Sequence, residues 1–142
     1  MKKLILALMF FATPALAASD FVMHRDPGCG CCERWAPQVR AAFRRNVRII
    51  DDANRAAFDV RRGVPASLSG CHTAIIDGMT FEGHVPIADM KRVLTTKPRG
   101  VRGLAVAGMP LGSPGMEAPG QRAASFNVMA FGAGGTFVYA RH

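Results

Sequence analysis

Apolar positions along this chain change period several times, and each change marks an element. A short apolar run, Phe21–Arg25, ends at a Pro-Gly pair and reads as a strand. Beyond it Trp35, Val39 and Phe43 fall at four-residue steps, one face of a helix that Asn46 would stop. Val47–Ile50 is β-branched and strand-like, closed by Asp51-Asp52. Residues 53–62 form a second helical segment, with Ala57 and Phe58 inside it and Arg61-Arg62 before Gly63. The stretch GVPASLSG is turn chemistry. Two strand-like runs then flank Asp77-Gly78, the strongest short hairpin signal there is. Pro86 opens a third helix, with Ile87, Met90 and Leu94 at helical spacing.

The resulting order is strand, helix, strand, helix, strand, strand, helix. It predicts an α/β protein of thioredoxin-like architecture: a mixed central sheet, helices on both faces, and a right-handed crossover between the first two strands. Residues 97–142 differ in character, holding nine of the 15 glycines and four of the nine prolines. They read mostly as loop to about Gln121, followed by a hairpin of FNVMAF and TFVYA around GAGG. This tail is expected to be an appendage covering the main sheet. Residues 18–142 are thus read as a single domain, with 97–142 as its C-terminal appendage.

The first 17 residues stand apart from this pattern. Lys2 and Lys3, an apolar run from Leu4 to Ala12, and Ala15-Leu16-Ala17 are the parts of a cleavable secretory signal peptide. The apolar part is too short to span a bilayer comfortably, and no later stretch is long and apolar enough to do so. The expected location is therefore the periplasm. The formal net charge is +8, carried in the mature part almost entirely by arginine. No basic run is interleaved with aromatics, so nucleic acid is not the expected target. Arg44-Arg45 and Arg61-Arg62 sit at expected helix ends, where cations suit the helix dipole.

Cysteine placement changes the picture more. Three of the four cysteines, Cys29, Cys31 and Cys32, fall within four residues. Cys29 and Cys32 have C-x-x-C spacing between a strand and a helix, where unpaired backbone N–H groups favour a thiolate. Pro37, five residues after Cys32, stands where thioredoxins place a helix-kinking proline. A thiol–disulfide oxidoreductase would use Cys29 as the attacking thiolate and Cys32 as the resolving one. Cys31 lies inside that pair, and a disulfide between neighbours is strained. Cys71, followed by His72, opens the third strand, in the slot where a thioredoxin-like fold carries its cis-proline; Pro65 comes six residues too early for it. Three thiols and a fourth arriving across the sheet describe a pocket. Such a pocket suits soft metals, above all Cu(I). Met109 and Met116, in the Gly/Pro-rich stretch GMPLGSPGM, lack core periodicity and are placed to swing over it, and His24, His72 and His84 are further nitrogen candidates. Two structural disulfides and a structural zinc site are the alternatives, although only one C-x-x-C knuckle exists.

The segments DPGCGCCERWAPQVRAA, GVPASLSGCHTAIIDGMTFEGHVPIADMKRVL and GLAVAGMPLGSPGME resemble the CopG-type periplasmic copper-resistance proteins, small bacterial proteins long described only as a metal-binding domain of unknown function. The resemblance spans about residues 21–140. It implies a thioredoxin-like fold that binds copper through the cysteine cluster, in copper resistance or homeostasis, with copper or thiol redox change as a further activity. By matching position, Cys29, Cys31, Cys32 and Cys71 would be the sulfur ligands, and His72, Met109 and Met116 lie in the shared motifs. Its expected partners are copper ions and other periplasmic copper-handling proteins. One departure from the family pattern is Ala42 before Phe43, where glycine is usual; it concerns only the end of the first helix.

Overall fold

Met23, Ala74, Phe81, Leu104 and Ala130 stand side by side on five successive strands, and this buried row is the spine of the fold. The computed structural model describes residues 21–142, and the expected signal peptide, residues 1–17, lies outside the described residues. In chain order the elements are β1 (Phe21–Arg25), α1 (Gly30–Phe43), β2 (Val47–Asp51), α2 (Arg55–Arg62), a 3-10 turn (Ala66–Leu68), β3 (His72–Ile76) and β4 (Met79–Glu82). They continue with α3 (Ile87–Thr96), β5 (Val101–Ala105), β6 (Asn127–Gly132) and β7 (Gly135–Arg141). The seven strands form one mixed sheet in the order β2-β1-β3-β4-β5-β6-β7. β1 and β2 run parallel, as do β4 and β5, and the other neighbours are antiparallel.

The two-residue alternation of the strands sorts the helices. The face carrying Met23 and Phe81 is covered by Trp35, Ala36 and Val39 of α1 and by Met90 and Val93 of α3, all buried. Thr73 and Glu82, one residue out of step, point to the other face and meet α2 through Asp59. On that side Val64, Leu68, Ala105 and Phe131 make a second, smaller apolar cluster. The fold is thus mixed α/β with helices on both faces. No helix among the described residues is long and apolar enough to cross a membrane.

The expected appendage is corrected. Residues 101–105, read as loop, form β5 in the interior of the sheet, and β6 and β7 continue the same sheet beyond it. The tail extends the sheet rather than covering it. Gly103 hid this strand, since it breaks the apolar alternation where a side chain has no room. A Cβ there would lie 2.4 Å from the Thr80 carbonyl oxygen and 2.5 Å from the Phe131 ring.

Candidate metal centre

Strand pairing brings the distant cysteine to the other three. β1 runs antiparallel to β3 with Arg25 opposite His72, so the residues just past each strand end, Asp26 and Cys71, face one another. Asp26 N–H donates to the Cys71 carbonyl at 3.0 Å. From Asp26 a turn, closed by Cys29 N–H to the Asp26 carbonyl at 3.2 Å, leads into α1. Cys29 is the N-cap residue and makes no side-chain cap, which leaves Cys31 and Cys32 in the first helical turn among unpaired backbone N–H groups. Cys32 is buried against the core, while Cys29, Cys31 and Cys71 are half-buried at its rim.

The four sulfur atoms all lie within 4.8 Å of one another. Cys29 and Cys32 are joined as a disulfide, and Cys31 and Cys71 are free thiols. Cys31 Sγ lies 3.4 Å from Cys29 Sγ and 3.6 Å from Cys71 Sγ, and Cys32 Sγ lies 3.5 Å from Cys71 Sγ. Met109 Sδ approaches Cys31 Sγ to 3.7 Å, on a side chain still 56% exposed. Burial, followed by the hydrogen bond and charge of Cys31, pushes the Cys71 thiol up to about 12. A metal entering here must therefore displace its proton.

Two histidines back the cluster, with Cys71 Sγ lying 3.7 Å from His72 Nδ1 and 3.8 Å from His84 Nε2. Both rings are buried, and that burial lowers both pKa values, for His72 to about 3 with the neighbouring His84 adding to it. They differ in the other nitrogen. His84 Nδ1 lies 2.7 Å from the Pro114 carbonyl oxygen, to which it must donate, so Nε2 turns a lone pair toward the sulfurs. His72 Nε2 is buried with no partner, and its ring lies against Trp35, centroids 4.6 Å apart. A proton fixed on the remote nitrogen by a carbonyl is the usual arrangement of a ligating imidazole. The donor set of four sulfurs, two neutral imidazoles and a thioether suits a soft ion.

The Gly/Pro-rich segment packs on this site. Gly115, with φ +83°, presses so closely on α1 that a Cβ would meet Trp35 N at 2.9 Å and Cys31 O at 3.0 Å. Its carbonyl accepts from Arg34 Nε at 2.8 Å, and Gln38 Nε2 donates to Glu117 at 2.8 Å. Of the two loop methionines, Met109 places its sulfur beside Cys31, and Met116 ties the loop through its backbone, by its N–H to Ser113 O and its carbonyl from Gly112 N–H. His24 is engaged elsewhere, hydrogen-bonded to Asp52 at 2.8 Å and stacked on Phe58. His84 joins the cluster more fully than its isolated place in the sequence suggested. The E-G-H-V-P motif held the signal.

A family model described as a protein of unknown function, DUF411, matches residues 68–116. That stretch carries Cys71, His72, His84, Met109 and Met116 and stops short of the cysteine triplet. No curated protein matches the chain. Among solved structures, the copper resistance protein CopG, form 2, is 39% identical with a TM-score of 0.77, covering 87% of this chain and 97% of that one. Form 1 of the same protein is 38% identical with a TM-score of 0.78, covering 89% and 98%.

Proposed function

The chain belongs to the family of the copper resistance protein CopG, and from that premise we propose that it is a periplasmic copper-binding protein holding Cu(I) in its cysteine cluster. Its role is copper resistance or homeostasis, and its architecture is read as thioredoxin-like, with C-x-x-C at the start of α1. The observation that carries the reading is the convergence of four Sγ atoms within 4.8 Å, two more than one disulfide can use. Cys29, Cys31, Cys32 and Cys71 are the thiolate ligands, His84 the imidazole in reach, and Met109 a thioether at the open side. His72 and Met116 support these rather than ligate. In the disulfide form only Cys31 and Cys71 offer thiols. Reduction of Cys29–Cys32 by a dithiol, which supplies two electrons and two protons and leaves as its own disulfide, restores all four. Competitive Cu(I) titration of the reduced protein against a chelator tests the reading. Tight binding, measurably weakened in Cys71→Ser, is expected, and no tight binding by the parent chain would sink it.

The disulfide itself favours a second reading, thiol–disulfide exchange by the Cys29–Cys32 pair. Once a dithiol has reduced the pair, the Cys29 thiolate would attack a substrate disulfide and expel one substrate thiol, and Cys32 would then attack the mixed disulfide, releasing the second thiol and re-forming Cys29–Cys32. Exchange on a small protein substrate that survives Cys29→Ser would remove this reading and leave the copper site standing.

A further inference from the structure

Both loops that carry cysteines are tied to one buried side chain of α2. Arg55 Nε donates to Asp26 Oδ1 at 2.7 Å, at the start of the loop to Cys29. Its Nη2 donates to the carbonyl of Gly70, the residue before Cys71. Its Nη1 is held by Asp59 Oδ2 at 2.6 Å and Glu82 Oε1 at 3.2 Å, and Glu82 Oε1 also accepts from Gly70 N–H at 2.6 Å. Arg55 is only 7% exposed. Burying a guanidinium among carboxylates is a poor route to stability, since desolvation offsets much of the attraction. What this network does achieve is geometric: one rigid fork of donors spans the two backbone segments whose spacing decides how close Cys71 comes to the triplet.

We propose that Arg55 is a positioning residue of the cysteine cluster, clamping the Gly70–Cys71 turn against the Asp26–Cys32 loop and so setting the separation of the Cys71 sulfur from its partners. The inference deepens the copper reading and rests on it for its consequence, Cu(I) affinity; the spacing of the sulfurs is measurable without copper. A lysine cannot replace the clamp, because a single ammonium lacks the fork that reaches both loops and both carboxylates. Asp26 offers a milder probe. Its side chain is half exposed, and its removal leaves the Arg55–Asp59–Glu82 contacts in place.

The experiment uses the full chain with Cys29→Ser and Cys31→Ser, in which Cys32 and Cys71 are the only thiols left. Oxidised glutathione drives their cross-linking. The two thiols lose two electrons and two protons, and one glutathione disulfide becomes two glutathione thiols. Mass spectrometry follows the rate. Arg55→Lys and Asp26→Ala are each expected to slow cross-linking by about tenfold or more, with the unfolding temperature of Asp26→Ala close to that of its parent. In the four-cysteine chain the same substitutions lower Cu(I) affinity in the same order. Cross-linking at the parent rate in folded Asp26→Ala and Arg55→Lys overturns the proposal; if Arg55→Lys does not fold, Asp26→Ala decides alone. Absence of Cu(I) binding by the unsubstituted chain would overturn the copper reading instead, and the cross-linking rates would still judge Arg55.

Discussion

Two histidines, 3.7 and 3.8 Å from Cys71 Sγ, differ in what their far nitrogens do. His84 is oriented by the Pro114 carbonyl, whereas His72 leaves Nε2 buried without a partner. A ring replacing His72 without that nitrogen removes an unsatisfied polar atom from the core. His72→Phe is therefore expected to keep or raise the unfolding temperature and to leave Cu(I) affinity near its parent value. His84→Ala should lower that affinity about tenfold or more, read by chelator competition. Equal losses in both variants would make His72 a ligand. Cys71 adds a pH dependence. With its thiol pushed up to about 12, it keeps its proton at neutral pH until metal displaces it. Apparent Cu(I) affinity should thus rise with pH, roughly tenfold per unit for each proton released, and Cys71→Ser should flatten the slope. A pH-independent affinity in the parent chain would show that Cys71 is not displaced.

At the scale of elements, the segment over the cysteines and the α2 network both make predictions. Gly115 leaves no room for a side chain against the first turn of α1, and its φ of +83° disfavours one further. Gly115→Ala should cost about 1–3 kcal/mol in urea unfolding and reduce whatever Met109 adds to copper affinity, so that Met109→Leu matters less in that background. Beneath the sheet, Thr73 Oγ1 meets both Glu82 Oε2, at 2.6 Å, and Asp59 Oδ1. One hydroxyl hydrogen cannot serve two carboxylates at once, and Glu82, fully buried, is raised by that burial from 4.5 to about 7, so it takes up a proton as pH falls toward neutrality. Between those values the folded chain holds a proton that the unfolded chain has lost. This stabilisation is full below about pH 4.5 and disappears as pH rises through about 7. Glu82→Gln, which keeps a donor for Thr73 and an acceptor for Gly70, should flatten that decline in chemical unfolding measured across the window. An unchanged profile would assign the proton elsewhere. Legibility followed locality. The C-x-C-C run, the four-residue steps of α1 and the Asp77-Gly78 hairpin are written within short windows, and the structure places them as expected. Nothing in the sequence distinguishes Arg55, because Asp26, Gly70 and Glu82, which it joins to Asp59 of its own helix, come from separate stretches. β5 stayed hidden because its central Gly103 is explained by the Thr80 carbonyl, 23 residues earlier, and the Phe131 ring, 28 residues further on.

For the whole molecule, that hidden strand decides what the last third of the chain is for. Leu104, Val106, Val128 and Ala130 belong to the same core cluster as Trp35 and Phe81, so the core does not close at α3. The segment that joins β5 to β6 carries Met109, Pro114 and Gly115 to the cysteines, which ties metal site and sheet extension to one stretch of chain. A chain ended after Thr96 would expose β4 as a bare edge and open Phe81 and Val85 to water, both now fully buried. An appendage could be cut away and leave a cooperative unit; a sheet interior could not. The truncated chain is accordingly expected to show no cooperative urea transition and to bind a dye specific for exposed apolar surface. A sharp transition near that of the full chain would restore the tail to the status of a cover and make β5 to β7 dispensable to the core.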